Sequence, residues 1–376
     1  MKLPNGWRKD RLGDLVVGNI RNGYSPVCDL SGDTCGWMLS LGALTPHGLD
    51  YSQRKAAPVD PALTRVELQD NDILISRSNT PDRVGMSSIF HVQEENYFYP
   101  DLMMRFQFDS DRLLPLFGWY YLNTPEARSY FKRKASGTSS SMVKITSATV
   151  RSLEIPYPPL PEQRRIAEFL GTWDEAIEKL EQLIAAEEAV LNAYLSRFVS
   201  AYESQNIPLG KLDGVKIEKG RSVTKSLLTG GNIPVIAGGK TTPYYCSAYT
   251  HDGETVTISA SGAYAGYVWY HSGKIWASDC NVLTSSAINV KFIFFALKYQ
   301  QQRIYSLQSG GAQPHVYAKD IEKILIPMLP RDKQDEIVKI LSLFEQKALI
   351  HRQELAALQK QKRGLMQKLL TGTWRV

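Results

Sequence analysis

PPLPEQRRIAEFLGTWDEAIEKLEQL, Pro158 to Leu183, follows Ile155-Pro156; 171 positions further on, Ile326-Pro327 introduces MLPRDKQDEIVKILSLFEQKALIHRQEL, Met328 to Leu355. The two stretches align without a gap, so that Ile166, Leu170, Trp173 and Ile177 fall on Ile337, Leu341, Phe344 and Ala348. Each leaves a strand-like Ile-Pro, crosses a proline-bearing turn and continues as a helix. Counting by alternate steps of four and three from Ile166 meets Leu180, Ile184, Glu187, Leu191, Tyr194 and Phe198; from Ile337 it meets His351, Leu355, Leu358, Lys362, Leu365 and Leu369. That alternation, held over four to five heptads, predicts two coiled-coil helices over 161–202 and 331–370, each roughly 60 Å long at 1.5 Å per residue. The expected seam sets Ile166, Leu170, Trp173, Ile177 and Ile184 against Ile337, Leu341, Phe344, Leu355 and Leu358. Isolated polar residues on such a seam, here Glu187, His351 and Lys362, fix register and orientation.

Working outward, RLGDL at Arg11–Leu15 answers PLGKL at Pro208–Leu212, and ILISRS at Ile73–Ser78 answers VTISAS at Val256–Ser261. The chain is therefore a long-period repeat: a globular unit over 1–155, a spacer helix in 156–204, a second unit over 205–326 and a second spacer helix in 327–376. The 376 residues suffice for two cores. Charge differs between the helical segments, with nine carboxylates against four cations in 156–204 and five against ten in 327–376. Opposite charge favours their pairing with each other, and the intervening unit gives the chain room to return antiparallel.

No apolar run reaches the roughly 18 residues of a membrane span, and MKLPNGWRKDR lacks the apolar core of a signal peptide, which predicts a cytoplasmic protein. Cys28, Cys35, Cys246 and Cys280 form no CxxC pair and have no histidine at zinc-finger spacing, so reduced structural thiols are expected.

Both globular units read as mixed α/β with short strands and Gly, Ser and Pro loops. Strands are expected at 72–76, 102–108, 255–259, 265–270 and 323–327, and a helix in each unit over 116–133 and 291–308. Frame and spacing recur while loop residues differ, as they should if each unit reads a different ligand. Loop groups suited to nucleic acid are Arg21, Asn22, Tyr24, Arg77, Asn79, Arg83, Ser139, Ser140 and Lys144 in the first unit. The second offers Lys219, Arg221, Lys240, Thr241, Tyr244, Tyr264, Gln313, His315 and Tyr317. Arg and Lys pair with phosphates or guanine, Asn and Gln with adenine, and hydroxyls with either.

Catalytic patterns are missing. AGGKTT at Ala237–Thr242 resembles the end of a phosphate loop, but the first glycine of that motif falls on Pro234. The only Pro-Pro lies in YPPL, so the adenine methyltransferase tetrapeptide is absent. EQK at Glu345–Lys347 has a nuclease-like spacing but lies on a heptad helix, and no HExxH or GxSxG occurs.

The doubled PPLPEQRRIAEFL and PRDKQDEIVKIL junctions, the opening LPNGWRKDRLGDL and the closing QKLLTGTWRV resemble the specificity subunit of type I restriction-modification enzymes. The resemblance covers both repeats. It implies an α+β chain of two loop-rich target-recognition domains separated by two long helices in an antiparallel coiled coil, with an internal pseudo-two-fold. It further implies that the chain is non-catalytic and binds no cofactor or metal. Its expected partners are double-stranded DNA, read as an asymmetric bipartite site, and two methyltransferase subunits that use S-adenosylmethionine. Restriction motor-nuclease subunits, which use ATP and Mg2+, complete the set. A stand-alone DNA-acting enzyme and a coiled-coil scaffold without DNA are the alternatives. The second junction has RDKQ where the first has LPEQ, which bears on whether both junctions hold a partner alike.

Overall fold

The computed structural model describes residues 3–26, 33–139, 142–201, 206–228, 230–311 and 313–375. Cys28 and Ser140 lie outside these residues. The chain divides into two compact units, one of residues 1–180 with 354–376 and one of residues 181–353.

In the first unit, Arg8–Arg11 pairs antiparallel with Glu154–Tyr157. A short turn at Leu12–Asp14 then feeds an antiparallel sheet in the order Val16–Asn22, Met103–Phe108, Ile73–Ser76, Ser87–Ile89. A second sheet sets Thr34–Leu39 between Tyr97–Phe98, parallel to it, and Arg54–Pro58, antiparallel. Ile73–Ser76 is buried on both faces: Ile73 and Ile75 enter one core while Leu74 enters another, the period-two alternation of a strand between two layers. A three-stranded patch of Ser136–Ser139, Met142–Lys144 and Ser78–Asn79 lies at one end.

The second unit repeats this plan. Asn206–Pro208 pairs with Leu325–Pro327. Val215–Lys219, Cys280–Ser285, Glu254–Ser259 and Val268–Ser272 form the four-stranded sheet, and Tyr244–Cys246, Ile233–Ile236 and Trp276–Ala277 the three-stranded one. Its parallel pair recurs between Ile233–Ile236 and Trp276–Ala277. RLGDL and PLGKL are indeed equivalent turns, and ILIS and VTIS equivalent central strands.

Three details differ from the sequence expectation. The helix expected over 116–133 is two, Pro115–Leu122 and Pro125–Lys134. Pro125 has no amide hydrogen and disfavours helical backbone at Thr124, whose hydroxyl instead caps the second helix by accepting from the Ala127 amide. The helix expected over 291–308 divides into Val290–Tyr299 and Gln301–Tyr305, with the Gln300 amide side chain donating to Leu325 O at the break. The strand placed at 265–270 begins only at Val268, because Gly262–Tyr267 is a hydrogen-bonded turn.

The long helices run Leu160–Ala201 and Arg331–Leu369. In the first unit, Ile166, Ala167 and Leu170 from the start of one helix join Met366, Leu369 and Leu370 from the end of the other in a single core. In the second unit the roles exchange, with Ile337 and Leu341 joined by Leu195. Each unit thus holds an antiparallel helix pair. Ile177 and Ile184 are buried, and Trp173, Phe344, Leu355 and Leu358 half-buried.

The polar seam residues are paired across the helices, acidic first helix to basic second. Lys362, 3% exposed, meets Asp174, which also accepts from the Tyr120 hydroxyl at 2.6 Å. Glu187 is ion-paired with Lys347 at 2.8 Å and meets His351 Nδ1 at 2.9 Å, while Glu188 pairs with Arg352. Lys347 and His351 together hold the Glu187 carboxyl below the usual range, the lysine hydrogen bond acting most strongly.

The junctions share one element, a buried glutamine. Gln163 donates to Arg112 O and Pro158 O and accepts from the Leu114 amide at 2.8 Å. Gln334 donates to Leu329 O and accepts from the Asn289 amide, also at 2.8 Å. Each amide ties the first helical turn to the loop ahead of a core helix. The LPEQ and RDKQ junctions differ at the residue just before that glutamine: Glu162 is buried against Arg375, whereas Lys333 is exposed beside Glu336.

Candidate nucleic-acid interface

In the first unit, the chain leaves the sheet at Asn22 and turns through Gly23, where a Cβ would sit 2.1 Å from Pro100 O; only glycine lets the two backbones approach this closely. The Gly23 amide donates to Met103 O and the Tyr24 amide to Tyr99 O. The Tyr24 phenol donates to Asp60 at 2.9 Å, which raises its pKa. Arg77 donates its amide to Leu102 O and its guanidinium to Asp101 O at 3.3 Å, and its carbonyl accepts from Ile145 N–H. Lys144 stands opposite Ser78, and Val143 opposite Asn79. Segments 21–25, 77–79, 99–105 and 142–145 are therefore stitched together, and they present Arg21, Asn22, Tyr24, Arg77 and Lys144 from neighbouring strand ends.

Two residues of the expected set are turned to structure. Arg83 donates to Leu44 O at 3.0 Å, and the Asn79 amide bonds Ser76 Oγ and the Thr80 backbone N–H. Ser139 ends its strand at the edge of the patch. Arg105, directly across the strand pair from Arg21, escaped the sequence reading because it lies inside a strand. It pairs with buried Asp72, whose pKa burial raises against the opposing pull of the Asp72 hydrogen bonds and of Arg105. Asn19, Arg21, Gln69, Asp72, Arg105 and Gln107 line a polar cavity of about 310 Å3 here.

In the second unit, Lys219 ends its strand opposite Asn281. The next two residues are held by the strand beyond, with the Gly220 amide on Cys280 O and the Arg221 amide on Ala277 O, leaving the Lys219 and Arg221 side chains exposed. Ser309 and His315 exchange backbone bonds across the glycine loop, the Gly262 amide donates to Pro314 O, and the Asn281 side chain to Val316 O. His315 stacks on Tyr317 with ring centroids 6.2 Å apart. Lys240 stands over Tyr264 at 4.7 Å. Lys219, Arg221, Lys240, Tyr264, Gln313, His315 and Tyr317 thus come from segments bonded to one another. Thr241 is exposed just beyond Lys240, and Tyr244 lies on the smaller sheet beside exposed Tyr245. Lys298 and Tyr267 join this group and were not anticipated. Lys298 lies in a helix, and Tyr267 was assigned to a strand; an apolar helix ending in a lysine was the available signal.

A family model for the type I restriction modification DNA specificity domain matches residues 65–188 and again 209–360. The chain belongs to this family. Both copies of the specificity domain run from their central sheet into a long helix, as the repeat requires.

Among curated proteins the chain is 23% identical over 424 residues to a candidate specificity subunit of the type I restriction enzyme MjaX from Methanocaldococcus jannaschii, covering 100% of this chain and 95% of that protein. It is 26% identical over 198 residues to the type I restriction enzyme EcoEI specificity subunit of Escherichia coli, covering 51% of this chain and 33% of that one. Among solved structures, the S subunit of a type I restriction-modification system from M. genitalium superposes with a TM-score of 0.65 at 21% identity, over 98% of each chain, a likeness of fold. The chain is a specificity subunit built of two repeated units, as expected from its sequence. No helix among the described residues is long and apolar enough to cross a membrane, and no cluster of His, Cys, Asp or Glu among them could hold a metal ion.

Proposed function

We propose that the two globular units, 1–155 and 205–326, each read one half of an asymmetric bipartite site in double-stranded DNA, while the paired helices in 156–204 and 327–376 fix the gap. The observation that carries this is the contrast between a repeated frame and unrepeated loop chemistry. The strand order, the parallel strand pair and the buried junction glutamine recur. The groups at the strand ends change from Arg21, Asn22, Arg77 and Lys144 to Lys240, Tyr264, His315 and Tyr317. A frame kept within one chain and decorated differently suits two half-sites of different sequence.

On this reading the chain catalyses nothing itself. Two methyltransferase subunits dock on it and use S-adenosylmethionine to methylate adenine, and motor-nuclease subunits with ATP and Mg2+ join for cleavage in the cytoplasm. The helical surface supplies the docking face, and the seam residues from Ile166 to Ile184 and from Ile337 to Leu358 hold the two helices in register. Modularity is the test. Replacing the loops of 205–326 by those of a relative, followed by modification-sensitive sequencing of host DNA, should rewrite one half of the methylated motif and leave the other intact. A swap that rewrites both halves together refutes it.

A further inference from the structure

The second unit holds a cluster of donors that base reading does not explain. Lys240, from the loop after Ile233–Ile236, and Lys298, in the last turn of Val290–Tyr299, approach the ring of Tyr267 to 5.6 and 4.6 Å. Lys240 also covers Tyr264 at 4.7 Å. Tyr305, on the following short helix, has its phenol raised by burial and then by its neighbours Tyr267 and Tyr264. Among the described residues neither ammonium has a carboxylate within 4.0 Å. Burial, and then Lys240, lowers the pKa of Lys298, against the weaker pull of Glu345. Each ring attracts a cation through its quadrupole, but two cations on one ring also repel each other. An anion between them would remove that conflict. The first unit differs at this place: Asn123, at the position of Lys298, bonds Ser87 and Trp119 O.

We propose that Lys240, Lys298, Tyr264 and Tyr267 form a phosphate clamp of the second unit, which grips a phosphodiester of the DNA backbone beside that unit's half-site. Ammonium groups only donate, and phenols donate readily to an anion. The cluster has no carboxylate or amide with which to accept from a base, and the phosphodiester is the charged group of DNA. The clamp therefore contributes affinity and orientation, not sequence choice. The inference rests on the reading of this chain as a DNA-binding subunit.

The test uses the assembled complex with its methyltransferase subunits and a fluorescent duplex carrying the methylated motif, titrated with KCl. Lys240→Gln and Lys298→Gln should each lower the slope of log K against log salt by about 0.9. Each should weaken cognate and unrelated DNA alike, and the difference from the parent should shrink roughly threefold between 50 and 200 mM salt. Lys298→Arg should restore the slope. An unchanged slope, or a loss confined to particular bases, overturns the clamp. Should Lys298→Gln unfold the unit, Lys240→Gln, on an exposed loop, decides alone. The 31P line of inorganic phosphate, recorded with the full chain, is a second readout independent of DNA. Broadening by the parent but not by Lys240→Gln supports the clamp and shows that free phosphate enters it. If the parent complex fails to bind its duplex, the DNA reading itself has failed, and an equal line width with parent and variant then overturns the clamp as well.

Discussion

Asp174→Ala isolates the buried ion pair of the first unit. Lys362 is 3% exposed and Asp174 24%, so the alanine variant strands an ammonium over the faces of Trp119 and Tyr120 and also leaves the Tyr120 hydroxyl without its carboxylate. Removing one member of such a pair costs about 3–5 kcal/mol. A lost hydroxyl partner adds to this, though not independently. The expected destabilisation is about 4 kcal/mol, read by urea unfolding, or roughly 8–16 °C for a unit of this size.

The repeat names the rescue. Position 362 corresponds to Leu191 in the other helix, which packs half-buried against the core of the second unit. In the Asp174→Ala background Lys362→Leu removes the stranded charge and should recover most of the loss, whereas alone it leaves Asp174 without its cation and should itself destabilise.

The pH dependence has a definite sign. Burial depresses Lys362 below its ordinary value, against the pull of Asp174. The unfolded chain therefore holds the extra proton, and stability rises with pH towards the lysine's unfolded pKa near 10.4. Without Asp174 that window extends lower, so the variant should gain more than the parent between pH 7 and 10. A variant within 1 kcal/mol of the parent, or one that Lys362→Leu does not rescue, refutes the argument.

Three further outcomes are expected. Gln163→Leu and Gln334→Leu should each destabilise by roughly 2–4 kcal/mol in urea unfolding, since each leaves a buried amide and carbonyls without partners; equal tolerance of both would show that water replaces the side chain. His271 is buried with Nε2 at 2.9 Å from Thr257 Oγ1, and burial lowers its pKa to about 4. It is neutral in both states above pH 6.5, so stability should fall as pH drops from 6.5 towards 4, by about 3 kcal/mol at the limit, and His271→Gln should flatten that slope. Purified chain should show no methyl transfer, DNA cleavage or ATP hydrolysis; turnover abolished by mutating one of its own residues would contradict that.

The helices and the repeat were legible because a heptad pattern is dense: every second turn restates it, and a copy 171 residues away restates it again. The partners of the polar seam residues were not, since Lys362 meets Asp174 only after the chain has returned through 188 positions. The break at Thr124 was written in Pro125 yet overridden by the apolar run before it. Most of the groups gathered at the strand ends were visible as polar loop residues. Arg83, bonded to Leu44 O, could not be told from nearby Arg77, because only tertiary carbonyls distinguish them. Lys298 was missed for the converse reason: periodicity assigns a helical lysine to solvent, and the Tyr267 ring it stands over comes from elsewhere in the chain.

Because Met366, Leu369 and Leu370 complete the core around Ile166 and Leu170, the first unit is discontinuous in the chain. At 5–20 residues per second, the ribosome takes roughly 10–40 s to travel from residue 180 to residue 366. Over that interval Ile166, Ala167 and Leu170 lack their partners from the second long helix, and the second unit is being made. The order of synthesis thus runs opposite to the order of completion, because the unit begun first is finished last. Substitutions that slow the second unit's folding should therefore lower the soluble yield of the first.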